Sequence, residues 1–420
     1  MRSYARDGVD CPVGVHYFGA FGEGQPLRRM FDYLGVAVAA ERMGQGGPID
    51  RYLFDDFTFD LPEGIDAFAE ALEAAFPEDR RPIATILGNL RAITDLQNSL
   101  SFLSSATIPF LDMDLFSPLT DYLTKMNCSA RLRSVLCVAS RWMGLSEHDC
   151  PVIYHHMALT SYLLSAWRLR GRGSDLAEAF ISRFAGLGGS LICNDPAAAI
   201  LTDGQGVAGV RLASGRVLRG TRVVAAVHPK AVLAMLPEGA VKPRQARRIR
   251  SLVETEGLFA ANVAVDARTH PALPHNIYRL HTDREGWISD GVFYQLRAGR
   301  EGKSHLMMIT QSPFSGWRRW EDTTTGRRGA DYQEEKIRRA DWVNSPDGSP
   351  YGIMRSVRQL PVASALHRAP LGGLFFAGQN ALAPGMLGTV LGSFQAVRQI
   401  MGHELFDREV FSELFAGKGP

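Results

Sequence analysis

The sequence predicts an α/β protein whose parallel-sheet domain is discontinuous and carries an inserted helical and antiparallel-sheet part. Three observations predict it. A short apolar strand, a glycine-rich loop and an apolar helix follow one another from Leu374 to Gly402. A helix, a hairpin and the β-branched run 222–227 occupy the middle of the chain. Helical and alternating stretches are interleaved with these units, as expected of layered domains built from separated segments.

Taken in order, residues 14–60 are rich in glycine and aromatics and lead into short β-like runs such as 51–61. Ile65, Phe68, Leu72 and Phe76 then recur at helical steps until Pro77 stops the run. From 84 to 170 the chain reads as apolar helix with breaks near Pro109, Pro118 and Pro151. Ser174 is placed as the cap of a helix whose Leu176, Phe180, Ile181 and Phe184 share a face. Gly188 and Gly189 turn the chain into a run at 190–193, and strands at 207–213 and 216–220 are joined by a Ser214–Gly215 turn. The run 222–227 reads as a buried parallel strand ending at His228–Pro229. Residues 258–267, 291–296 and 305–310 alternate like antiparallel strands, and 320–350 are polar. Leu374–Ala377 is a strand, Gly378–Gly388 a loop, and the remainder to Gly402 a helix.

Bulk properties narrow the function. A chain of 420 residues exceeds one ordinary core, so two or three domains are expected. Its net charge of +2 provides no field for a polyanion, which argues against nucleic acid as a partner. Cys11, Cys128, Cys137, Cys150 and Cys193 lack metal or redox spacing, so no metal site is expected and free thiols in a reducing cytoplasm are. The longest apolar span, 151–167, contains His155 and His156 and falls short of the ~20 residues needed to cross a bilayer.

The C-terminal strand–loop–helix could bring bare backbone N–H groups against a ligand. Its wording is more specific than its shape. The string FFAGQN followed by PGMLGT resembles the C-terminal flavin-binding signature of the phytoene desaturase, retinol saturase and amine oxidase superfamily. That resemblance implies FAD as cofactor, with Gly378, Gln379, Asn380, Gly385 and Gly388 lining it. The block 6–35 resembles the family segment in which a Gly-Val-His-Tyr turn approaches the flavin ring. It implies Gly14, Val15 and His16 at the flavin, with His16 on its reactive face as the catalytic candidate. The middle block is similar to the family's second FAD-binding half, which implies Ala197 near the adenine and Val227, His228 and Pro229 at a strand end close to the cofactor. For His228–Pro229, a strand-ending turn with no ligand is an equal reading. The turn at 345–354 resembles a family segment that places Tyr351 and Gly352 by the flavin.

By this resemblance residues 1–60, 171–236 and 345–420 form the FAD-binding domain, and 61–170 with 237–344 form the substrate domain. Two departures from the family pattern stand out. No GxGxxG turn after a strand is read, so the βαβ unit that holds the FAD diphosphate is expected to be missing and FAD to be held weakly. A helix and a strand are expected to be missing before the Tyr351 turn, near Ala340. A further strand is accordingly expected between 222–227 and 374–377, leaving a gapped or covered sheet.

The implied activity is flavin-dependent desaturation, saturation or isomerisation of C=C bonds in an apolar polyene or isoprenoid. Two alternatives stay open: an amine oxidase-like flavoenzyme, and a catalytically inactive binding protein of the same fold. The helical middle, including 104–116 and 151–164, is either an apolar substrate tunnel with a surface dipping into a membrane or ordinary helical core.

Overall fold

The computed structural model describes residues 3–6, 9–12, 14, 17–104, 113–204, 206–313, 346–367 and 370–416. A hairpin of β1 (Ser3–Arg6) and β2 (Val9–Pro12) opens the chain, followed by β3 (Phe18–Gly19), α1 (Pro26–Leu34) and β4 (Ala40–Arg42). The alternating run then gives β5 (Asp50–Leu53) and β6 (Thr58–Leu61). Helices α2 (Ile65–Ala75), α3 (Arg80–Ser99), α4 (Ser101–Ser104), α5 (Leu119–Lys125), α6 (Ala130–Arg141) and α7 (Val152–Leu164) follow, ending in β7 (Ala166–Leu169).

β5 and β6 do not stay with β3 and β4, the strands that precede them. They extend a six-stranded sheet whose other strands are β12 (Leu258–Asp266), β13 (Asn276–Thr282), β14 (Ile288–Ala298) and β15 (Lys303–Gln311). The order is β12-β15-β14-β13-β5-β6, antiparallel except where β5 runs parallel to β13. Residues 50–61, grouped by resemblance with the first block, are therefore built into the sheet of the 258–311 strands. Helices α2, α3, α5, α6 and α7 pack on this sheet in one apolar core that includes Leu72, Ile83, Leu90, Val138 and Leu159.

α7 lies inside that core. His155 and His156 are buried, their Nδ1 atoms 2.9 Å apart, and His155 Nε2 meets the Leu136 carbonyl at 2.7 Å. Burial pushes His155 down to about 4 and holds His156 well below the ordinary imidazole range, so both are neutral. Core is thus the correct reading around His155 and His156, while Tyr162 further along α7 is only half-buried. Among the described residues no helix is long and apolar enough to cross a membrane.

The rest of the molecule is built from smaller sheets. β3, β7 and β4 form one of three strands, covered by α1 and by α12 (Gly385–Met401). β8 (Ala197–Asp203), β9 (Gly206–Leu212) and β10 (Val217–Arg219) form another. β11 (Val223–Ala225) pairs in parallel with β16 (Leu374–Phe376), and α8 (Gly173–Gly186), α9 (Pro229–Met235), α10 (Pro243–Arg250) and α11 (Leu360–Ala363) complete the chain's main elements.

Four expectations are corrected here. α8 starts two residues earlier than expected: Arg172, not Ser174, is its N-cap, and the Asp175 carboxylate accepts the Arg172 backbone N–H at 2.9 Å. Its apolar face is only partly covered, for Leu176 is buried while Ile181 and Phe184 are exposed. The run at 190–193 forms no strand, and the strand that precedes the hairpin is β8 at 197–203. No strand separates β11 from β16: Val223 pairs with Leu374, Val224 with Phe375 and Ala225 with Phe376. Val224 is nonetheless half exposed, so the run 222–227 is not the fully buried strand its composition suggests.

One string, Gly204 to Gly209, does carry GxGxxG spacing after a strand, contrary to the reading above. It forms the turn between antiparallel β8 and β9, not the start of a helix, and Gly206 approaches the Gly372 carbonyl too closely for any side chain. No diphosphate cradle results there. The expected losses around Ala340 lie outside the described residues.

Candidate functional site

A cavity of about 1040 Å³ lies between the six-stranded sheet and the N-terminal end of α12. It is the meeting place of segments far apart in sequence. Gly14 and Tyr17 come from the first loop, Trp142 and Tyr162 from the helical middle, and Tyr278, Leu280 and Phe293 from the sheet. Tyr351, Gln379, Gly385 and Met386 close the opposite side.

Of the residues singled out from sequence, Gly14, Tyr351, Gln379 and Gly385 line this cavity. Val15 and His16 lie outside the described residues, although their neighbours Gly14 and Tyr17 both reach the cavity wall. Gly352, Gly378, Asn380 and Gly388 sit directly behind it. The Asn380 Oδ1 accepts the Ile353 N–H at 3.0 Å, and a Cβ on Gly352, whose φ is 69°, would collide with that carboxamide. Gly388 lies inside α12, not in the loop, and a Cβ there would strike the Ala383 carbonyl. Gly378 is at φ 75°, and a Cβ there would make only ordinary contacts with Ala226 and Thr389, so its backbone conformation and not crowding calls for glycine.

Val227, His228 and Pro229 stand beside the loop without lining the cavity. A Cβ on Gly378 would lie about 4.0 Å from that of Ala226, and the chain then turns into α9. His228 is buried and caps that helix, its Nδ1 accepting the Lys230 N–H at 3.3 Å. Its Nε2 is 3.3 Å from Glu254 Oε1, which Lys230 Nζ approaches to 2.7 Å. Burial would raise the Glu254 pKa, but the contacts with His228 and Lys230 outweigh it and hold the carboxyl low. The strand-ending turn is therefore what the local geometry supports for His228. Ala197 begins β8 and is exposed away from the cavity.

Chemical fit to a flavin can be judged from the Gly385 end. α12 begins after Pro384 with no side-chain cap, so its first backbone N–H groups are not satisfied by a side chain, and Gly385, Met386 and Thr389 of its opening turns line the cavity. Gln379 and Tyr351 flank this helix end. Behind the loop, the buried Arg355 donates to the Asn380 carbonyl at 2.6 Å and fixes its course. Uncapped donors with a helix dipole suit the electron-rich pyrimidine edge of a flavin ring. The side chains of Tyr351 and Asn380 are positioned by glycines: a Cβ on Gly144 would come within 2.6 Å of the Tyr351 ring.

Sequence reasoning did not find the aromatic and polar wall opposite. Tyr17 stacks on Phe293 at 6.1 Å and packs against Tyr162 at 4.6 Å, and Tyr278 meets Phe293 at 5.0 Å. Behind these rings, Asp50 is fully buried. Its carboxylate accepts from Tyr17 Oη at 3.1 Å and from Asn276 Nδ2 at 2.8 Å, and the Tyr17 and Tyr278 hydroxyls are 2.7 Å apart. Burial raises Asp50 to about 7, the two hydrogen bonds and Arg168 only partly opposing it. Burial, then the Asp50 charge, raises Tyr17 and Tyr278 well above the usual phenol range. A signal for Asp50 was present in sequence: it stands two residues before Tyr52, on the inward side of the alternating run.

At a separate edge of the cavity, Arg141 donates to Gln311 Oε1 at 3.0 Å and to the buried Glu147 at 2.8 Å. The remaining wall is chiefly apolar, with Leu258, Ile288, Ile309 and Phe394 among its residues. Among the described residues no cluster of His, Cys, Asp and Glu could hold a metal ion.

Comparison with known proteins agrees with this architecture. The chain is a distant relative of the all-trans-retinol 13,14-reductases of Macaca fascicularis and Homo sapiens, 19% identical to each over 96% of its own length and 80% of theirs. It is similar in structure to an oxidoreductase from Methanosarcina mazei, with a TM-score of 0.61 and 15% identity over 94% of this chain and 90% of that one. A putrescine oxidase redesigned in its cofactor binding gives 0.63 and 12% over 97% and 91%. No protein-family model matches the chain. The expected α/β class is borne out, and the fold is that of these oxidoreductases.

Proposed function

We propose that this protein is a flavin-dependent oxidoreductase acting on C=C bonds of an apolar polyene or isoprenoid. The observation that carries the reading is the single cavity onto which the first loop, the Tyr351 turn and the Gln379–Gly385 loop converge. Bound FAD would supply two-electron hydride chemistry. In this reading Gln379, Gly385 and the α12 N-terminus hold the ring, with Gly378, Asn380, Gly388 and Gly352 shaping the backbone behind it. Gly14, Val15, His16 and Tyr351 would face the reactive side, and Val227 and Pro229, beside the Gly378 loop, would stand nearest the rest of the cofactor. Residues 1–60, 171–236 and 345–420 would form the cofactor domain, apart from the two strands built into the large sheet.

The apolar wall favours a hydrocarbon chain over a polar substrate, and the retinol reductase relatives point to the same class. The test is a titration of FAD into the protein, followed by its absorbance and fluorescence. Saturable perturbation is expected, lost in Gly388→Val because the new side chain displaces the loop from the helix. Spectral change on adding a polyene alcohol would identify the substrate class, whereas flavin reduction by aliphatic amines would favour the amine oxidase-like alternative. Flavin that neither binds nor responds to Gly388→Val refutes the proposal.

A further inference from the structure

The cavity wall contains a chain of three hydrogen-bonded protic groups. Asp50 is sealed at the inner end, Tyr17 is in the middle, and Tyr278 is at the end with no further partner among the described residues. Both tyrosines line the cavity. Groups facing Asp50 are Tyr17, Tyr278, Tyr52 and Tyr162, the amide of Asn276 and, at longer range, Arg168. Asn276 is itself fixed by Gln295 Nε2, which donates to its Oδ1 at 2.9 Å.

A phenol has one proton and can both donate and accept. When Asp50 is ionised, Tyr17 must donate to it, and Tyr278 then donates to Tyr17. When Asp50 is protonated, each bond can reverse: Asp50 donates to Tyr17, Tyr17 to Tyr278, and the Tyr278 proton is left free for an acceptor in the cavity. The chain thus has two orientations, and the charge state of one buried carboxyl selects between them.

We infer that Asp50, Tyr17 and Tyr278 form a proton relay for the C=C chemistry of this cavity, with Tyr278 as its substrate-side donor. The inference rests on the proposed function and deepens it. In the reducing direction, a bound two-electron reduced flavin would supply hydride to one alkene carbon, while the π pair would form a C–H bond at the other carbon with the Tyr278 proton. Tyr278 takes a proton from Tyr17 and Tyr17 from Asp50, and after product leaves, the carboxylate regains its proton from cavity water passed back through Tyr278 and Tyr17. Desaturation would run the same proton transfers backwards, the oxidised flavin serving as hydride acceptor when bound.

The first test needs neither flavin nor substrate, so its failure is separable from failure of the flavoprotein reading. Infrared titration of the whole protein should show a buried carboxylic acid band that fades as pH rises through about 7 and is absent in Asp50→Asn. Tyr17→Phe should shift its midpoint. The second test uses the flavin-loaded protein. Tyr278→Phe should still bind a polyene alcohol, read from quenching of Trp142 in the cavity wall, while reduction slows by about 10²–10⁴-fold. Tyr17→Phe should slow it similarly, covering the case in which Tyr278→Phe does not fold. A carboxyl ionised throughout the neutral range, or undiminished turnover in both tyrosine variants, overturns the relay.

Discussion

Asp50→Asn tests the buried carboxyl without changing its shape. The unfolded chain releases the Asp50 proton near the ordinary 3.8, whereas the native fold keeps it to about 7. The neutral form is therefore the one the fold favours. Its contribution is fully present below about 3.8 and is lost as pH rises through about 7. At about 1.4 kcal/mol per pH unit, this difference costs the wild type about 4 kcal/mol at alkaline pH. The amide variant does not ionise. Its oxygen can still accept from Asn276, and its nitrogen can donate to Tyr17, which then turns toward Tyr278. His155 titrates with the opposite sign: held at about 4 instead of 6.5, it destabilises the fold as pH falls below 6.5. A raw stability profile mixes the two effects, but subtracting wild type from variant cancels the histidine. Urea unfolding of both proteins from about pH 4 to 9 supplies the subtraction. The variant should gain steadily on the wild type, by about 4 kcal/mol in all, with the gain complete a little above pH 7. A difference that does not vary with pH would refute the account of Asp50 as a proton-holding group and remove the inner end of the relay.

Two further predictions concern packing. Leu90→Ala, at a fully buried position of α3, should cost about 2–5 kcal/mol by opening a cavity between helices and sheet, measured as a lower urea midpoint with an unchanged slope. Gly352→Ala should cost on the order of 2–3 kcal/mol, because it adds a side chain at positive φ and drives Asn380 off the Ile353 N–H. Replacement of Gly46, also at positive φ but with open space around it, should cost only the backbone part of that penalty and so serves as the control.

What was legible in the sequence depended on whether a residue's role is set by its neighbours along the chain. The helix at 65–75 and its end near Pro77 follow from local periodicity, as do the strands at 207–212 and 303–311. The loop from Gly378 into α12 was recognisable because its glycines are needed for two reasons: Gly378 and Gly385 sit at positive φ, and Gly388 leaves no room for a Cβ against the Ala383 carbonyl. Long-range pairing leaves no such record. Nothing in 50–61 says that β5 will run parallel to β13, more than two hundred residues later. The direct pairing of β11 with β16 was likewise inaccessible, since a short apolar run has the same composition beside one partner or two. The polar wall combines both difficulties. Tyr17 and Tyr278 become a hydrogen-bonded pair only because β5 brings Asp50 between the loop and β13. In sequence only its phase with Tyr52 sets Asp50 apart from any strand-leading acid until the sheet closes over it. Its raised pKa is therefore a product of topology: the same side chain on the outward face of β5, beside Arg51, would titrate as an ordinary surface carboxylate, and the two tyrosines would have no proton source behind them.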